Sequence, residues 1–188
     1  MNTNGVLSFG QPFTRTSSGG SNFDSVDFSP PIIAPFWDDV DITAGGVIYY
    51  RQDFDSSVAE LIRQAVSFQY PEVGFFFPTL VFVATWDRVA QFGTGNSLFN
   101  TFQAVIASDG SRTFVRFTYG DIQWAGLTLI GVSAGDQRNF ITHPASLGSG
   151  VVFLDGFNVT YRVDRKFQLT RLRLLLTIRH LMQLVMQL

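Results

Sequence analysis

NTFQAVIASDGSRTFVRFTYGDIQW, Asn100 to Trp124, is the stretch whose reading decides the fold. Phe102, Ala104 and Ile106 alternate with Thr101, Gln103, Val105 and Ala107, the period of a half-buried strand. Ser108-Asp109-Gly110-Ser111 follows, and Asp and Gly tolerate the positive φ of a tight hairpin turn. Thr113 to Tyr119 returns as a second alternating strand. Outward from this hairpin the same signals recur. Leu80 to Trp86 is a nearly continuous apolar run, the mark of a central strand buried on both faces, and it predicts a buried Trp86. Short strands are read at Val6–Phe9, Ile32–Ala34, Val47–Tyr50, Leu127–Ala134, Phe140–Ile141, Val151–Leu154 and Val159–Val163, with Pro35 marking an edge or bulge. One helix is read, over Ser57 to Phe68. Ser57 and Glu60 have capping-box spacing, and Val58, Leu61, Ile62, Ala65 and Val66 form an apolar stripe. The sum is mainly β: an antiparallel β-sandwich with one covering α-helix, expected at one edge or end of a sheet.

Composition limits what such a domain can do. The chain has 188 residues, 46% of them hydrophobic, with 20 Phe and 3 Trp, enough for one domain with a sizeable core. All 15 acids lie at or before Asp164, against 8 basic residues there, so residues 1–164 carry a net charge of −7. An acidic body argues against nucleic acid, and Lys166 is the only lysine. There is no cysteine, which excludes disulfides and thiolate zinc sites.

The wording of five segments is distinctive: NTNGVLSFG (Asn2–Gly10), IIAPFWDDVD (Ile32–Asp41), GGVIYYR (Gly45–Arg51), TWDRV (Thr85–Val89) and the hairpin itself. In this order and spacing the chain resembles the NIDO domain, the extracellular module of nidogens, alpha-tectorins and certain membrane mucins. The likeness runs from about Asn2 to Asp164. It implies a secreted or cell-surface binding module without catalytic residues, whose partners are extracellular matrix or cell-surface proteins, or glycans. It implies no nucleic acid and no organic cofactor, and membrane contact only through further modules or the C-terminal tail. Three features depart from the family pattern. The first strand is missing, the region of Gly156 to Asp164 is shortened, and Phe75-Phe76-Phe77 is more apolar than a loop needs.

Met1 is followed at once by Asn2-Thr3-Asn4-Gly5, so no signal peptide is read in this chain, and the resemblance implies one upstream. The domain is read as residues 1–164. Residues 165–188, RKFQLTRLRLLLTIRHLMQLVMQL, have no Gly, Pro, Asp or Glu and are apolar almost all round. Arg171, Arg173, Arg179 and His180 interrupt every window long enough to span a bilayer. The tail is read as foreign to the family, translated intron or frame-shifted sequence, with a basic surface helix as the alternative.

Few residues suggest chemistry. Asp38, Asp39 and Asp41 could offer hard oxygen ligands to calcium, though the string lacks the length and terminal Glu of an EF-hand loop. The plainer reading is solvated loop acids, or acids paired with Arg88 or Arg51. Asp87-Arg88 reads as a local ion pair and His143 as a loop residue, and Gly93-Thr94-Gly95 lacks a phosphate-loop context. Asn158-Val159-Thr160 is the only Asn-x-Ser/Thr sequon and a glycosylation candidate. The acidic segment 38–41 and the Ser/Gly-rich segment Thr14–Ser25 are the exposed surface candidates. The rival reading is a carbohydrate-binding or hydrolytic sandwich of a secreted enzyme. It needs carboxylates such as Asp39 and Asp87 facing one cleft beside an exposed Trp.

Overall fold

The computed structural model describes residues 1–25, 29–52, 56–95, 97–148 and 156–163. The expected strand at Val151–Leu154 and the tail 165–188 lie outside them. The hairpin Asn100–Trp124 forms as read: β6 (Phe99–Ser108) and β7 (Thr113–Ile122) pair antiparallel, from Ser108↔Thr113 through Phe102↔Tyr119. At the turn, Asp109 N–H donates to Arg112 O at 3.2 Å, and Gly110 takes φ +84°, open to glycine at no steric cost. β5 (Leu80–Gln91) pairs along the other side of β6, from Leu80↔Ser108 to Ala90↔Phe99.

These three long strands carry the larger sheet. β10 (Asn158–Arg162) adds beyond β7, while β3 (Val40–Asp41) and β4 (Val47–Gln52) both add to β5, giving the order β10-β7-β6-β5-β3 with β4 also on β5. The smaller sheet is β1 (Leu7–Ser8), β2 (Ile32–Trp37), β8 (Leu129–Ser133) and β9 (Phe140–Thr142), in the order β1-β2-β8-β9. Among the described residues every strand pairing is antiparallel. Pro35 sits at a register shift between Ala34 and Trp37, so β2 takes its proline at a bulge and not on an edge.

Period-2 alternation sorts the side chains between two cores. On the face of the larger sheet toward the smaller one lie Ala84, Trp86, Phe102, Ala104, Ile106, Val115, Phe117 and Tyr119, meeting Phe36, Ile33, Ile130 and Val132. Phe36, Trp86 and Phe102 stack with centroids 5.1 Å apart, and Trp124 meets Phe36 edge-on at 5.3 Å. Trp86 is fully buried, as expected. The opposite face of the larger sheet presents Val81, Val83, Val105, Ala107 and Phe114, and α1 (Ser56–Gln69) covers that end with Ile62 and Val66. A third cluster lies outside the smaller sheet, where Phe13 and Phe23 close over Ile32, Ala34, Trp37 and Leu129.

Two expectations need correcting. The helix begins at Ser56, so Ser57 lies inside its first turn and not ahead of it. Its buried stripe is also narrower than the sequence suggested: Ile62 and Val66 are covered, Val58 and Ala59 partly so, and Leu61 is exposed. The helix meets Val81, Val83 and Val105 through Ile62 and Val66, and Leu61, one position before Ile62, faces solvent. As expected, the Thr14–Ser25 segment is a largely exposed loop, though it is anchored at a few points. Phe23 is buried, Ser18 Oγ donates to Leu127 O at 3.1 Å, and Trp37 Nε1 donates to Thr16 O at 3.2 Å.

Candidate binding surface

The acidic segment does structural work in part. Asp38, 6% exposed, leaves the end of β2 and turns into the fold. Its Oδ2 accepts from Gly126 N–H at 2.9 Å and Thr128 Oγ1–H at 2.6 Å, and its Oδ1 accepts from Asp39 N–H at 2.9 Å. A Cβ at Gly126 would stand 2.9 Å from that same Oδ2, so the glycine makes room for the carboxylate. Asp38 therefore ties the β2–β3 corner to the start of β8, which makes it no exposed surface candidate. Asp41 Oδ1 accepts from Thr43 Oγ1–H at 2.6 Å, Thr43 N–H at 2.9 Å and Ala44 N–H at 3.3 Å. The Thr43 hydroxyl is the main cause of its lowered pKa. Asp39 shifts the other way, raised by slight burial and then by the charges of Asp38 and Asp41. Among the described residues no group of three His, Cys, Asp or Glu is placed to hold a metal ion.

The other sequence candidates fall apart spatially. Asp87 is on the outer face of the larger sheet, where Thr101 Oγ1 reaches its Oδ1 at 3.5 Å, and the Arg88 guanidinium lies 5.0 Å from the Phe99 ring. Trp37, Trp86 and Trp124 are all buried, and each indole N–H is bonded to a backbone carbonyl: Thr16, Asn2 and Val89 respectively. The rival reading thus loses its exposed tryptophan. His143 is buried in the turn after β9; its Nδ1 accepts from Ala145 N–H at 3.0 Å, and burial lowers its pKa. Asn158 is the exposed first residue of β10.

Among the described residues, one exposed aromatic pair lies in a segment that the sequence marks as too apolar for a loop. In Phe75-Phe76-Phe77 the middle ring plunges into the core under α1, 4.8 Å from Phe114. Its neighbours face solvent, 76% and 59% exposed, and stack on each other at 5.4 Å with planes 6° apart. Arg112, from the hairpin turn, fixes this knuckle. Its guanidinium donates to Val73 O at 2.7 Å and Phe75 O at 2.6 Å, is held by Asp109 at 2.6–2.7 Å, and lies 5.6 Å from the Phe76 ring. Arg63 of α1, paired with Glu60 at 2.7 Å, lies 5.9 Å from the Phe77 ring. The result is two large rings displayed on a loop whose backbone is already fixed. Such rings bind with little ordering cost. The signal available in the sequence was three consecutive Phe before Pro78, too apolar for a solvated loop.

The family model of the nidogen-like domain (NIDO) matches residues 1–158. Alpha-tectorin of Mus musculus is 35% identical over 159 residues, covering 84% of this chain and 7% of the relative. Nidogen-1 of Mus musculus is 35% identical over 128 residues, 63% of this chain and 10% of the relative. Dendrite extension defective protein 1 of Caenorhabditis elegans is 29% identical over 174 residues, 90% of this chain and 15% of the relative. The chain thus spans a small part of each of these relatives. No solved structure matches it. Among the described residues no helix is long and apolar enough to cross a membrane.

Proposed function

The chain belongs to the nidogen-like (NIDO) domain family, and from that membership we propose that it is an extracellular binding module acting in cell–matrix adhesion or matrix assembly. The observation that carries the reading is the Phe75–Phe77 pair. It is exposed and stacked, and it is held in place by Phe76 beneath and Arg112 beside it. Exposed aromatic anchors of this kind concentrate binding energy, because the loop needs no further ordering when a partner closes over it. The partner is a matrix or cell-surface protein offering an apolar cleft for two rings. Work of this sort needs no covalent step and no organic cofactor.

The working module is residues 1–164, with the tail outside it. In the parent protein the module stands behind a secretory leader and ahead of other modules, in keeping with the small fraction of each relative that it spans. Two experiments test the reading. A full-length read of the encoding transcript is expected to extend upstream into a leader and downstream into further modules; a message confined to this chain removes the basis for secretion. Surfaces coated with the protein are expected to support attachment of cells above an albumin-coated control, and attachment no better than the control counts against adhesion.

A further inference from the structure

β10 is an edge strand among the described residues: it pairs with β7 and its other side carries no strand. Edges of this kind invite pairing with other chains unless something blocks them. The backbones of Phe157 and Val163 bond toward β7, to Tyr119 N–H and Thr113 O. Alternation therefore turns the N–H and C=O groups of Asn158, Thr160 and Arg162 to the open side. One end of that open side is already closed. Tyr70 Oη–H donates to Thr160 O at 3.0 Å and accepts from Arg162 N–H at 3.3 Å, so a single hydroxyl stands where a neighbouring strand would. The other end is Asn158, exposed, with the sequon hydroxyl Thr160 two residues on and buried. Register puts Asn158 opposite Thr118 and in line with Gln103, Thr85 and Tyr49, on the sheet face whose other end α1 covers.

We propose that Asn158 carries an N-linked glycan, and that the glycan closes the end of the β10 edge that Tyr70 leaves open. The inference rests on the extracellular reading. The donor is a lipid pyrophosphate-linked oligosaccharide of the secretory pathway. The Asn158 amide nitrogen loses one proton and bonds to the anomeric carbon of the sugar. The anomeric C–O bond breaks, and the lipid pyrophosphate leaves with its electron pair. Because the Thr160 hydroxyl is covered in the folded domain, transfer precedes closure of β10 onto β7. The sugar then projects from the first residue of the edge, a bulky polar group where an incoming strand would have to start.

The test expresses the whole chain in mammalian cells behind a cleavable leader, which forces it into the secretory pathway whatever its native address. Leader-processed protein is analysed from medium and cells alike. The expected mass exceeds the polypeptide by one N-glycan. Peptide N-glycosidase removes it and leaves aspartate at 158; N158Q lacks it and T160S keeps it. Native deglycosylation and N158Q are each expected to shift the sedimenting species from monomer to dimer or higher. An unmodified polypeptide mass overturns the site and leaves the attachment assay, and so the adhesion reading, untouched. A glycan whose removal leaves sedimentation unchanged overturns the edge-blocking role.

Discussion

Single residues fix the corners of this domain. Gly5 has φ +76°, and a Cβ there would stand 1.9 Å from Phe36 O, so the chain turns into β1 only because that position has no side chain. Gly5→Ala is expected to cost on the order of 3 kcal/mol, read as a drop in urea midpoint. Asp38 is similar in kind. Its three accepted bonds make Asp38→Ala destabilising by about 2–3 kcal/mol, since Gly126 and Thr128 are left unpaired inside the fold. The same geometry commits its oxygens, so added calcium is expected to leave Tm unchanged, and a rise reversed by chelator would show that the acidic segment does hold the ion. His143 sets a pH dependence. Burial lowers its pKa from 6.5, so the folded state prefers the neutral ring whose Nδ1 accepts from Ala145 N–H. Stability from this residue is full above pH 6.5 and declines as pH falls from there toward the lower folded value. His143→Asn keeps an acceptor without the titration and is expected to flatten the fall in Tm between neutral and mildly acidic buffer.

At the scale of elements, the hairpin and the aromatic knuckle depend on each other. Arg112 belongs to the β6–β7 turn, yet two of its bonds hold carbonyls of the 73–77 loop. Arg112→Ala is expected to cost about 2 kcal/mol and to raise hydrogen exchange in the 73–77 loop, while β6 and β7 stay protected. Equal exchange in both would deny the coupling. The hairpin was legible in sequence because alternation and an Asp-Gly turn are local signals. The knuckle was not, because Arg112 reaches Phe75 and Val73 across 37 and 39 positions. Asp38 read as a surface acid for the same reason: Gly126 and Thr128 lie 88 and 90 residues away. Leu61 was counted into the helix stripe because periodicity fixes a helix face but not its width, which the row of Val81, Val83 and Val105 beneath decides.

At the scale of the whole molecule, the described residues form two antiparallel sheets with a helix on one outer face and the 13–23 segment on the other. Val163, at the end of the described chain, is buried in the main core. A chain ended after Asp164 is accordingly expected to unfold cooperatively with the same urea midpoint as the full chain. A large loss would show that residues 165–188 belong to the fold. Phe75 and Phe77 belong to none of the three buried clusters. Removing Phe75 and Phe77 leaves Phe76, Ile62 and Val66 in place. The proposed binding role and stability are therefore separable at this site, and one measurement uses that. Cell attachment to surfaces coated with the wild-type chain is compared with F75S/F77S, after both are shown to melt at the same temperature. The account expects attachment to fall at least tenfold in coating concentration, about 1.4 kcal/mol. Undiminished attachment by the folded double variant would contradict it.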